Sequence, residues 1–180
     1  MRFLDLVRRR QSVRGYTARP VGREKIERCL EAARLAPSAS NAQPWHFVVA
    51  DKPALVRELA RAAYNRFTRT APAFVALICE PGKAVTRIGG WLAWRDYRLI
   101  DLGLAAAHFC LQAAEEGLGT CMLGMFNQRR VRRLLGVRPG RRVQMLITLG
   151  YPQDGEVREK KRKSLDRIRS YNRYAPRGGP

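Results

Sequence analysis

A chain of 180 residues with 46% hydrophobic content is long enough for one domain with a real core and too apolar to be disordered. No apolar run approaches the roughly 20 residues needed to span a bilayer. The start, Met1-Arg-Phe-Leu-Asp-Leu-Val-Arg, is too short and too charged for a secretion signal, so the expected compartment is the cytoplasm. The net charge of +20 comes from 35 basic and 15 acidic residues and invites a nucleic-acid hypothesis. Yet 29 of the 35 basic residues are Arg, scattered over most of the chain. No helix-turn-helix signature, zinc spacing or aromatic-basic stacking motif accompanies them, so nucleic-acid binding is the rival class and not the leading one.

In chain order, residues 2–10 carry Phe3, Leu4, Leu6 and Val7, the pattern of a short amphipathic helix. An extended segment follows, Arg10-Gln-Ser-Val-Arg14. Alternation puts Arg10, Ser12 and Arg14 on one face, where two guanidiniums flanking a hydroxyl suit a phosphate, or else form a solvated basic edge. The periodicity predicts a helix over 23–35, with Ile26, Leu30 and Ala33 in its apolar stripe. Pro37 stops it. The stretch Ala36-Pro-Ser-Ala-Ser-Asn-Ala-Gln-Pro-Trp-His-Phe47 then combines small residues, the amides of Asn41 and Gln43, and the indole of Trp45. It reads equally as a ligand wall or as a rigid connection anchored by the Trp.

Val48 to Ala50 reads as a strand and 54–64 as a helix with Leu55, Leu59, Ala62 and Ala63 buried. The run Ala73-Phe-Val-Ala-Leu-Ile-Cys79 predicts a strand covered on both faces. Pro81 to Gly90 reads as a loop, and Trp91 and Trp94 as core, interface or pocket cover. Residues 96–116 form the longest predicted helix, apolar nearly all round and thinned by Gly103 and Ala105 to Ala107, which suggests burial against a second subunit. His108 within it reads as a packed or interface residue. Gly117 caps that helix. A strand at 120–123, a helix at 128–135 closed by Gly136, and a strand at 142–149 complete the pattern. Cys29, Cys79, Cys110 and Cys121 lie far apart in apolar segments and read as reduced core residues, not a metal site. From Gln153 onward the chain is polar and basic, densest over 158–163, with Leu165, Ile168 and Tyr171 spaced by three.

Four pieces stand in one order: Arg10-Gln-Ser-Val-Arg14, Ala36-Pro-Ser-Ala-Ser-Asn-Ala-Gln-Pro-Trp45, Gly117-Leu-Gly-Thr-Cys-Met-Leu-Gly124, and Leu149-Gly-Tyr-Pro152 followed by a basic pair. This resembles the nitroreductase family of flavin enzymes over nearly the whole chain. The resemblance implies an α+β fold with a central, mostly antiparallel or mixed sheet flanked by helices, in an intertwined homodimer. Residues 1–152 would be the FMN-binding domain, and 153–180 an extension wrapping the partner subunit. It further implies that Arg10, Gln11, Ser12 and Arg14 contact the flavin phosphate, ribityl chain and pyrimidine edge. Pro37, Ser38, Ala39 and Asn41 would reach the flavin from the partner. The backbone of Leu123, Gly124 and Met125 would approach its N5, and Lys160 and Arg162 would return to its phosphate, with Lys161 and Lys163 equally available.

With the redox chemistry on the cofactor, no side-chain nucleophile or base is required. The function implied is FMN-dependent oxidation of NADH or NADPH in a ping-pong cycle, with a nitroaromatic, quinone or conjugated alkene as acceptor. The alternative is a specialised member: a dehalogenase, an azoline dehydrogenase or a flavin-consuming enzyme. This chain departs from the family pattern in its small allowance for a lid before the long helix and in its charge.

Overall fold

The computed structural model describes residues 2–92 and 94–175; of the expected C-terminal extension, residues 176–180 lie outside the described part. In order, the chain forms α1 (Phe3–Arg9), α2 (Arg23–Arg34), β1 (Trp45–Ala50), α3 (Pro53–Ala62), β2 (Ala73–Cys79), α4 (Ala84–Leu92), α5 (Tyr97–Glu115), β3 (Gly119–Leu123), α6 (Gln128–Leu134), β4 (Arg142–Gly150) and α7 (Leu165–Ile168). The four strands make one antiparallel sheet in the order β1-β2-β4-β3. This is the α+β architecture that the resemblance implies.

All seven residues of β2 are buried. Its alternation explains why. Phe74, Ala76 and Ile78 face a layer built with Val56 and Leu59 of α3 and Val131 of α6. Ala73, Val75, Leu77 and Cys79 face Ile26, Cys29 and Ala33 of α2 and Leu102, Ala106 and Phe109 of α5. Each large side chain sealed this way contributes about 1.5–3 kcal/mol. All four cysteines are free and buried, as their apolar settings predict. In α3 the register places Val56 in the core and leaves Leu55 only partly covered.

The sheet gains a fifth edge from the segment after α1. Ser12 bridges Thr120 in parallel, and Val13 N–H donates to the Thr120 carbonyl at 2.9 Å. Two glycines admit this segment. A Cβ at Gly119 would lie 2.6 Å from Val13 Cγ2, and one at Gly150 would lie 2.5 Å from Pro72 and 2.9 Å from the Tyr16 ring. Below it, the Tyr16 hydroxyl donates to the Val13 carbonyl at 2.8 Å and shares a 2.6 Å hydrogen bond with Thr148 Oγ1.

One expectation is corrected. Of the stretch 81–90 read as loop, residues 84–90 belong to the helix α4, which runs on to Leu92. The glycines that suggested a loop serve the helix end, where Arg95 N–H returns to the Gly90 carbonyl at 2.8 Å. A Cβ at Gly90 would meet the Arg95 carbonyl oxygen at 2.6 Å, so only glycine permits that fold-back. Trp91 and Trp94, beyond it, are 79% and 96% exposed and are not core. On α5, Leu99, Ile100 and Leu104 remain exposed in the single chain, while the opposite face is sealed. No described helix is long and apolar enough to cross a membrane.

Candidate functional site

The edge segment and the tail build one cleft. Arg10, Gln11, Ser12 and Arg14 line it from one side, and Arg158, Glu159, Lys160, Lys161 and Arg162 from the other, around about 330 Å³. The alternation predicted for 10–14 holds: Val13 points into the core, and its neighbours stay accessible. The tail is fastened by polar contacts to backbone. Gln11 Nε2 donates to the Glu156 carbonyl at 2.6 Å, and its Oε1 accepts from Arg158 N–H at 3.2 Å. Arg158 also donates to the Ser12 carbonyl, and Lys160 Nζ to the Arg10 carbonyl.

Electrostatically the cleft is one-sided. Arg10, Arg14, Arg158, Lys160 and Arg162 form no ion pair with any described carboxylate. Lys160 is held below the ordinary lysine range, first by partial desolvation and then by the charges of Arg10, Arg162 and Arg158. One carboxylate, Glu159, also lines the cleft but pairs with none of these cations among the described residues, and so marked an excess of positive charge suits a multiply charged anion with several acceptor oxygens. Because the segment runs parallel to β3, Arg14 and the Leu123–Met125 turn lie toward the same end of that edge. Leu123 has its side chain buried, whereas Gly124 and Met125 are exposed and no atom lies within 4 Å of where a Gly124 Cβ would stand. What Leu123 offers a ligand is therefore backbone.

The second group of predicted residues sits elsewhere. After α2 the chain makes a short 3-10 turn, Ala39–Asn41, with Ser40, Asn41 and Gln43 at φ of 51°, 50° and 48°. The loop is cross-braced: Ser38 Oγ accepts from Gln43 N–H at 3.0 Å, and Asn41 Oδ1 from Gln43 Nε2 at 2.8 Å. Ala39 N–H donates to Asp101 Oδ1 of α5 at 3.1 Å, and Lys83 Nζ to the Ser40 carbonyl at 3.1 Å. Pro44 is buried and Trp45 is half-buried against the α2/α5 layer, so the anchoring role of that indole stands whatever the loop binds.

Within one chain the two groups do not meet. The loop docks at Asp101, whereas Arg10 and Gln11 share a pocket lining with Ala114 near the other end of α5. Those α5 positions are thirteen residues apart, about 20 Å of axial rise. Pro37, Ser38, Ala39 and Asn41 do not line the basic cleft.

Two contributors escaped the sequence reading. Arg158 was legible only as part of a basic run; its contacts with Gln11 and Ser12 span about 146 residues of chain. Asp101 carried a signal, a carboxylate between Ile100 and Leu102 in the otherwise apolar stretch 99–107. Beside the loop, Trp91, Trp94, Arg95, Tyr97 and Arg98 line a further cavity of about 410 Å³, and His108, half-buried, is satisfied by the Leu104 carbonyl at 2.8 Å.

The model of the family described as the nitroreductase family matches residues 7–151. A protein of Archaeoglobus fulgidus, named as an NADH dehydrogenase/NAD(P)H nitroreductase, is 30% identical over 156 residues, covering 84% of this chain and 86% of that protein. Iodotyrosine deiodinase 1 of Rattus norvegicus is 28% identical over 196 residues, covering 92% of this chain and 68% of that protein. The solved structure of a nitroreductase family protein from Streptococcus pneumoniae superposes with a TM-score of 0.82 at 26% identity, covering 95% of this chain and all of that one.

Proposed function

The chain belongs to the nitroreductase family, and from that premise we propose that it is an FMN-dependent oxidoreductase, carrying hydride from NADH or NADPH to a small-molecule acceptor such as a nitroaromatic or quinone. When bound, FMN supplies the two-electron chemistry. The observation that carries the reading is the cleft between residues 10–14 and 158–162, lined by six cations and a single carboxylate, Glu159. Its chemistry fits a phosphate dianion. Arg10, Lys160 and Arg162 hold that phosphate, Gln11 and Ser12 offer polar groups to the ribityl chain, and Arg14 faces the pyrimidine edge of the ring. The backbone of Leu123, Gly124 and Met125 closes that end.

The active unit in this proposal is a cytoplasmic homodimer. Two observations support it: the separation of the Ser38–Gln43 loop from the cleft along α5, and the exposed Leu99, Ile100 and Leu104 on that helix. A second copy packed on α5 supplies Pro37, Ser38, Ala39 and Asn41 to the first copy's cleft. Residues 153–180 then divide their roles. The part up to Arg162 completes the cleft of its own subunit, and the part beyond, with exposed Leu165, Ile168, Tyr171 and Tyr174, wraps the partner.

Nucleotide and acceptor then use one site in turn. The test is steady-state oxidation of NADH and NADPH at several acceptor concentrations, with and without added FMN. Parallel double-reciprocal lines and an FMN requirement are expected; intersecting lines would contradict shared, alternating occupancy. The likeness to the deiodinase favours one second reading, reductive dehalogenation on the same fold. Faster turnover of a halogenated tyrosine than of any nitroaromatic or quinone would select it.

A further inference from the structure

Asp101 is a buried carboxylate that the chemistry above does not use. It is 2% exposed and flanked by Ile100 and Leu102. Its Oδ1 accepts from Ala39 N–H at 3.1 Å, while Oδ2 has no hydrogen-bond partner among the described residues. A buried acceptor left without a donor opposes folding, and more so when charged. An apolar residue in its place would suit the α5 packing better. What the carboxylate contributes must therefore lie in the one bond it makes.

That bond reaches a strained turn whose own backbone bonds are two, Asn41 N–H to the Ser38 carbonyl and Ala42 N–H to the Ala39 carbonyl, each 3.0 Å. Ser40, Asn41 and Gln43 all sit in the left-handed region, where a side chain crowds the backbone. The side-chain braces Ser38 to Gln43, Asn41 to Gln43 and Lys83 to Ser40 are exposed and compete with water. The Asp101 contact, by contrast, comes from a buried side chain. It comes from a 19-residue helix whose Leu102, Ala105 and Ala106, just beyond it, are sealed against the α2 layer. A hydrogen bond to a charged acceptor is roughly twice as strong as one to a neutral acceptor.

We propose that Asp101 is a positioning residue, whose carboxylate fixes the strained Ser38–Gln43 loop in the form that receives the flavin. This rests on the reading of the loop as flavin-facing. Asp101 touches the loop and not the cofactor, so it acts through Ala39.

The experiment compares wild type, Asp101→Asn and Asp101→Ala by three measurements on the full chain. These are FMN titration by fluorescence quenching, melting of the apoprotein, and amide hydrogen exchange of the apoprotein. Asp101→Asn keeps an acceptor for Ala39 and removes the buried charge. Its apoprotein is expected to melt no lower than wild type, while FMN binds about three- to tenfold more weakly. Asp101→Ala is expected to bind more weakly still, with exchange accelerated at residues 39–43 and unchanged in β2. The proposal is overturned if both variants bind FMN as wild type does. It is equally overturned if affinity falls only in step with melting temperature and exchange rises throughout. Should Asp101→Ala fail to fold, the Asn variant decides. A wild-type protein that binds no FMN would instead sink the flavin reading, and the exchange comparison, which needs no cofactor, would then judge the hold of Asp101 on the loop.

Discussion

Replacing Gly119 by alanine tests how the cleft is built. The new Cβ would stand 2.6, 2.8 and 2.9 Å from Val13 Cγ2, Cβ and Cγ1. Carbon atoms settle at about 3.5–4.0 Å, so Val13 must retreat by roughly 1 Å. Its β-branched side chain cannot turn away, because all three near atoms belong to one stiff isopropyl group. The retreat would stretch the 2.9 Å bond from Val13 N–H to the Thr120 carbonyl beyond useful range. Overpacking costs about 1–3 kcal/mol, and the lost hydrogen bond about 1 kcal/mol more. For a chain of this size that corresponds to a fall of about 5–15 °C in melting temperature. The same displacement moves Ser12 and Arg14 off the β3 edge, so FMN affinity should fall alongside. Adding Val13→Ala removes two of the three close atoms and should restore part of both. Thermal melts and FMN titrations of the three variants are the assay. A Gly119→Ala protein with native melting temperature and native FMN affinity would refute the tight seating of residues 10–14.

Three further outcomes are expected. Arg14→Ala should lower the reduction potential of bound FMN, because the guanidinium favours the negative charge gained on reduction; an unchanged potential, read spectroelectrochemically, would remove Arg14 from that role. Burial, opposed by the Thr148 hydrogen bond, holds the Tyr16 phenol well above its ordinary range near 10. The stability it contributes is therefore fully present below about pH 10 and lost as pH rises further, because the unfolded chain ionises first. Tyr16→Phe should lose about 1–2 kcal/mol at pH 7 and show a flatter alkaline decline in urea titrations; an equally steep decline would exonerate Tyr16. Removing residues 164–180 should weaken dimerisation and spare FMN binding at protein concentrations that keep the dimer, whereas removing 153–180 should weaken both. Sedimentation with bound-flavin absorbance separates them, and a dimeric, fully loaded 153–180 deletion would sink the assigned roles of the tail.

Local chemistry made much of the fold legible. The unbroken apolar run 73–79 implied a strand covered twice, and the sheet covers it with helices on both faces. Pro37 and Gly117 marked real helix ends because their backbone preferences act within a residue or two. Glycines misled only at 89–90, where the close approach of Arg95 to Gly90, set by the tertiary fold-back, explains the residue better than loop propensity does. Within the candidate site, Arg10, Ser12 and Arg14 were legible because alternation in an extended segment is a local property. Arg158 was not, because nothing near it in sequence distinguishes it from its basic neighbours; its partners Gln11 and Ser12 do. The orphaned oxygen of Asp101 is likewise a property of packing.

Everything proposed for this chain depends on the cationic cleft holding FMN. The most direct measurement is the visible spectrum of the purified protein, after FMN titration if it emerges colourless, with the flavin released on denaturation identified and counted. FMN near one per chain is expected, with loss of that stoichiometry when Arg10 and Lys160 are both replaced by Met. A protein that takes up no flavin at any FMN concentration, or that binds it equally well without those two cations, would contradict it.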